Sequence, residues 1–169
     1  MAKSENPAIK LISADASLLF EMEPSFFETF PGFSHHPKNP VSKEFERLST
    51  WRGWRTGSAK WKKNWNRCIT EQYHSLIGIR VNDLSTWQQM CRKVNLDGDF
   101  PSITKCRKAL KRVYVNIVDL LECWEDEKHP RTFKNGKELS EYSHSQNKLF
   151  SRSLAKQDKV LRTLLRHIT

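Results

Sequence analysis

The chain has 169 residues and a mass of 19.9 kDa, enough for one globular domain and too little for two ordinary ones. Hydrophobic residues make up 37% and aromatics 11%, which excludes the low apolar content of a disordered chain. Twenty-nine Lys and Arg against nineteen Asp and Glu leave a net charge of +10, pointing to a polyanionic partner such as nucleic acid or an anionic membrane.

Residues 1–23 read as a flexible tail with no continuous apolar stretch of the signal-peptide kind, and residues 24–169 as a single helical domain. The domain opens with an aromatic cluster, Phe26, Phe27, Phe30 and Phe33, interrupted by Pro24, Pro31, Pro37 and Pro40. Such a segment suits a wrap around the domain better than a long helix. Six helices are expected after it. The first runs from about Pro40 to Arg52, with Asn39 as N-cap, Pro40 at the first helical position and Gly53 at the stop. The second covers Ser58–Ile77, with Gly78 just beyond. The third, Ser85–Val94, carries a Ser85…Gln88 capping box. The fourth and longest is expected over Ser102–Trp124, ending before Pro130. A short fifth helix starts at Asn135, with Glu138 again at capping-box spacing, and the sixth spans Ser153–Ile168. The β-branched run Val113–Leu121 admits a strand, but its neighbours continue a 3.6-residue apolar period on both sides. The expectation is an all-α bundle of five to six helices, without internal repeats.

The four cysteines, Cys68, Cys91, Cys106 and Cys123, fall inside apolar helical patterns and form no CxxC, which reads as reduced core thiols. The six histidines share no ligand spacing: His35 and His36 sit in a Pro-rich loop, and Cys68 and His74 fall on different helix faces. GxGxxG, GxSxG and HExxH are absent, and the acids scatter through Asp97, Asp99 and the run Glu122–Glu127. No enzyme activity, cofactor, metal or small-molecule substrate is therefore expected. No segment reaches the ~18 apolar residues of a membrane span, so an intracellular protein is expected, with the nucleus as the compartment that suits its basicity.

The charge is unevenly placed. Residues 51–112 hold fourteen Lys and Arg against four Asp and Glu, and no acid occurs from Arg47 to Thr70 or from Phe100 to Val118. At 100° per residue the second helix puts Trp61, Trp65, Cys68, Ile69, Tyr73 and Leu76 on one stripe and Lys60, Lys63 and Arg67 opposite. The fourth repeats the pattern, with Ile103, Cys106, Leu110, Val113, Ile117, Leu121 and Trp124 against Lys105, Lys108 and Arg112. A face built for solubility alone mixes both signs, whereas single-sign faces suit a polyanion that neutralises them. The segment Trp51-Arg52-Gly53-Trp54-Arg55-Thr56-Gly57-Ser58 leads into the second helix, where Arg52 and Arg55 can clamp phosphate or guanine and the helix amides can receive a phosphate. Trp51 and Trp54 are both expected in the core, since large aromatics usually bury most of their surface. Two basic helices joined by a turn follow the general logic of helix-turn-helix modules.

The leading expectation is thus a nucleic-acid-binding module, DNA favoured over RNA, with contacts from Arg52, Arg55, Lys60, Lys62, Lys63, Arg67, Lys105, Lys108, Lys111 and Arg112. The alternative is a protein-interaction or scaffold module, a homodimer being one form of it, using the aromatic amino-terminal cluster and the acidic Glu122–Glu127 run. Adsorption to anionic lipid is disfavoured because the basic helices need their apolar faces for the core. The blocks KEFERLSTWRGWRTGSAKWKKNW, LSTWQQMCRKV, PSITKCRKALKRVYVNIVDLLE and LFSRSLAKQDKVLRTLLR together resemble a family of small basic proteins of filamentous fungi. The resemblance spans about Pro24 to Thr169. It implies that an extracellular disulfide scaffold is the wrong picture, and it transfers no catalytic or binding residue.

Overall fold

Ser58, Ser102, Asn116 and Asn135 each accept a backbone N–H from two or three residues ahead, and these four side chains mark where the chain turns into a helix. The computed structural model describes residues 24–151, 153 and 158–164. In chain order they form a 3-10 turn Phe26–Thr29, α1 Val41–Trp51, α2 Ala59–Leu76, a second 3-10 turn Gly78–Arg80, α3 Leu84–Lys93 and α4 Ile103–Leu110. There follow β1 Tyr114–Val115, α5 Ile117–Glu122, β2 Thr132–Phe133, α6 Gly136–Ser145 and α7 Lys159–Leu164. The architecture is all-α, with one two-stranded antiparallel ribbon pairing Tyr114 with Phe133 and Val115 with Thr132.

α2 is the central post. The Phe26–Thr29 turn, α1 and α5 pack against it, while α3 packs on α4, α4 on α7, and α6 on the ribbon. Its buried stripe of Trp61, Trp65, Cys68, Ile69 and Tyr73 meets Phe45 of α1, whose ring lies edge-on to both Trp61 (5.3 Å) and Trp65 (5.2 Å). Phe26 and Phe27 are buried and Phe30 and Phe33 pack on the same core, so the aromatic segment wraps the domain as expected. Long-range side-chain bonds pin the periphery to this post: Trp65 Nε1 donates to Leu149 O (2.7 Å) and the Tyr73 hydroxyl to Asp158 Oδ1 (2.7 Å). All four cysteines are free thiols, three of them buried.

The single long helix expected over Ser102–Trp124 is corrected to α4, β1 and α5. Two tight turns, Arg112 N to Ala109 O and Val113 N to Leu110 O, close α4. Val113, Tyr114 and Val115 then favour the extended form that β2 completes, and the Asn116 side chain, accepting from Val118 N and Asp119 N, starts a new helix. Both halves still turn Cys106, Leu110, Ile117, Leu121 and Trp124 inward, which is why the apolar period runs unbroken through the interruption. Smaller corrections concern caps. Pro40, not Asn39, is the N-cap of α1, and Asn39 Nδ2 instead donates to Glu44 Oε1. α3 begins one residue early behind Asp83, so no Ser85…Gln88 box forms, and Gln88 Nε2 donates to Phe100 O. Asn135 caps α6, while Glu138 Oε2 reaches back to Lys134 N rather than to the cap itself. Of the sixth expected helix, Lys159–Leu164 is seen as α7, and residues 152, 154–157 and 165–169 lie outside the described residues, as does the tail 1–23. No described helix is long and apolar enough to cross a membrane.

Candidate nucleic-acid interface

The turn from α1 to α2 is set by two glycines. Gly53, at φ +66°, lets its own N–H reach Thr50 O and that of Trp54 reach Ser49 O (2.8 Å), the paired bonds that close a helix at a left-handed residue. Gly57, at φ +77°, turns the chain again so that Ser58 Oγ can receive Trp61 N. Neither glycine has a neighbour where a Cβ would stand, so their requirement is the backbone angle and not space.

This double turn sorts the two tryptophans differently. Trp54 is 8% exposed and packs on Phe30 and Phe45. Trp51, expected in the core beside it, is 49% exposed on the last turn of α1. The reason is local: the Gly53 cap swings the chain inward after Trp51, and the core below α1 is already filled by Phe45 and Leu48.

The turn and α2 hold six of the predicted contact residues in one continuous stretch. Arg52 and Arg55 are exposed on the turn, Lys60, Lys63 and Arg67 are exposed at helical spacing opposite the Trp61/Trp65/Cys68 stripe, and Lys62 is exposed on their flank. Arg52 lies 5.7 Å from the Trp51 ring centroid and Arg67 lies 5.5 Å from that of Phe26, so both guanidiniums are steadied by aromatic faces. The other four predicted residues belong to α4 and its exit: Lys105 and Lys108 opposite Cys106 and Leu110, Lys111 as the C-cap, and Arg112 beyond it, all exposed. α4 takes α3 and α7 as its main neighbours, whereas α2 takes α1, α5 and the 3-10 turns. The basic residues therefore fall into two groups carried by different parts of the bundle. The ion pairs among the described residues are Lys43–Glu46, Arg47–Glu44, Lys137–Glu141 and Lys148 with Asp119 and Glu122. None of these engages Arg52, Arg55, Lys60, Lys62, Lys63 or Arg67.

Beside the turn, Glu44 anchors the entry to α1. It is completely buried, and it accepts from His36 N (3.0 Å), Asn39 Nδ2 (2.7 Å) and Arg47 Nη1 (2.6 Å). Burial alone would raise its pKa, but these bonds and the guanidinium charge hold it below the ordinary carboxylate value. Arg47, so held, lies 5.1 Å from the Phe33 ring centroid. Sequence reasoning misses Phe33 as a neighbour of Trp51 and Glu44 as the acceptor that gathers His36, Asn39 and Arg47, because both depend on how the Pro-rich loop folds back.

The acidic run ends up elsewhere. Past Arg67, α2 turns Cys68, Glu71 and Gln72 to a cleft of about 670 Å³ shared with Glu122, Glu125 and Asp126. α2 is thus cationic in its first half and borders an acidic cleft in its second. His35 lines the same cleft, stacked on Phe27 (4.2 Å), and burial lowers its pKa. No grouping of His, Cys, Asp and Glu fit to hold a metal occurs among the described residues. Compared with family models, with curated proteins and with solved structures, the chain matches none.

Proposed function

We propose that the protein is a nucleic-acid-binding module, directed to duplex DNA, and that it works by binding rather than by catalysis. The observation that carries this reading is the run Arg52, Arg55, Lys60, Lys62, Lys63 and Arg67: six exposed cations on one turn and helix, none paired with a carboxylate among the described residues. Holding like charges together in water without counter-charges is unfavourable, and phosphates relieve it. Arg52 and Arg55 flank the helix start and clamp the backbone, Lys60, Lys63 and Arg67 follow it along α2, and Lys105, Lys108, Lys111 and Arg112 on α4 and its exit supply a second cationic face. Phosphate contacts of this kind give affinity and register, not base readout. Nuclear residence goes with this reading.

Anisotropy titrations of a labelled duplex across a salt series test it. With about six phosphates engaged, log affinity falls with log salt at a slope near −5, at about −0.9 per phosphate. A Lys63→Glu/Arg67→Glu variant binds far more weakly. Binding that ignores salt or charge reversal rules the reading out. The scaffold reading keeps one specific support, the acidic cleft at Glu71, Glu122, Glu125 and Asp126, since Phe26 and Phe27 are already committed to the core. Partners that persist in a pull-down after nuclease treatment favour it.

A further inference from the structure

We propose that the open cleft at Trp51 is a stacking site for one unpaired nucleobase, so that the preferred ligand carries a single-stranded segment next to the phosphates held by α2. This rests on the nucleic-acid reading and specifies the ligand further. The cleft, of about 730 Å³, is lined by Phe33, Arg47, Thr50 and Trp51, with Gly32 and the exposed ion pair Lys43–Glu46 also on its wall.

Three observations bear on what fills it. The first is the indole itself: Trp51 and Ile79 are the large apolar side chains left exposed among the described residues, and Trp51 lines the cleft. The second is that the indole is braced. The Phe33 ring centroid lies 5.8 Å from that of Trp51 at 50°, and the Arg52 guanidinium stands over the indole. Gly32, which lines the same cleft, holds φ +86°, a conformation that other residues rarely adopt. A braced, half-exposed aromatic loses little freedom when a flat ligand stacks on it.

The third observation is charge. Arg52 sits 5.7 Å from the Trp51 ring and Arg47 5.1 Å from the Phe33 ring, while Arg47 and Lys43 each have one carboxylate partner and Arg52 has none among the described residues. The cleft surroundings, with Lys43, Arg47 and Arg52 against Glu44 and Glu46, are therefore net positive, and the exposed Arg52 and Arg55 follow Trp51 on the turn that leads into α2. An aromatic platform beside a cationic track is the combination that holds single strands, the bases stacking while the phosphates are neutralised. A base inside a duplex is not available to it, since both its faces are already stacked.

The test uses the full chain, a single-stranded oligonucleotide containing 5-iodouracil, and the same strand annealed into a blunt duplex. Irradiation of the single-strand complex is expected to crosslink the tryptic peptide Leu48–Arg52, through Trp51. Trp51→Ala is expected to weaken single-strand binding about tenfold while duplex affinity stays within about twofold, and Trp51→Phe to retain most of it. Crosslinks confined to other peptides, or a Trp51→Ala protein that binds single strands like the wild type, overturn the stacking site while duplex binding leaves the broader reading standing. A wild-type protein that binds neither form overturns both.

Discussion

Glu44 and Lys148 are the two charges on which the fold leans most. Glu44 serves three donors from the loop before α1 and from Arg47, and its lowered pKa makes it a stabilising group at neutral pH. Because the folded value lies below the unfolded 4.5, its contribution is complete above that pH and fades as pH falls through the folded value. Glu44→Gln is expected to cost about 1–3 kcal/mol at neutral pH, and the gap between variant and wild type should narrow in urea titrations at acid pH. Lys148 donates to Asp119 Oδ1 (2.6 Å) and Glu122 Oε2 (2.8 Å), and Glu122 Oε1 in turn accepts Ser42 N at the start of α1. Burial alone would lower the Lys148 pKa, but the two carboxylates raise it above 10.5. Its stabilisation is therefore full below that pH and drains away in alkali. Lys148→Met leaves two nearly buried carboxylates without their cation, and a loss of about 3–5 kcal/mol is expected by urea denaturation.

The helices differ in how they start, and this is where local sequence speaks most directly. Ser58, Ser102 and Asn135 cap α2, α4 and α6 with bonds that need only the neighbouring backbone, so these starts are visible in the sequence. Asn116 caps α5, but it is 1% exposed and also donates to Ser143 Oγ (2.8 Å) and Lys148 O (2.9 Å). It thus ties α5 to α6 and its exit. Asn116→Ala is expected to cost about 2–3 kcal/mol, against about 1 kcal/mol for the exposed cap change Asn135→Ala, with thermal melts as the measure. The break at Val113–Val115 was hidden because β1 exists through pairing with β2, some eighteen residues further along, and periodicity within a window registers no such partner. At the α1–α2 turn, Gly57→Ala should cost about 1–2 kcal/mol through the left-handed backbone alone, since open space surrounds the position.

At the scale of the whole molecule, the salt dependence of binding tells whether the cations of α2 and α4 grip one ligand. If both do, Lys105→Ala/Lys108→Ala should make the log affinity–log salt slope less negative by about 2, as should Lys60→Ala/Lys63→Ala, at about 0.9 per lost contact. An unchanged slope for the α4 pair assigns the interface to the α1–α2 turn and α2 alone. Composition and pattern were sufficient for the all-α class, the amphipathic faces of α2 and α4, the core thiols and the outward cations, because each follows from which side of a helix faces water. They were not sufficient for Trp51, whose exposure depends on a core that Phe45 and Leu48 had already filled. Nor did they reveal the cleft it forms with Phe33 and Arg47, which Glu44 assembles by folding a proline-rich loop back onto α1. Helix faces follow from residues a few positions apart, whereas packing volume and long-range hydrogen bonds join residues whose separation along the chain carries no periodic trace.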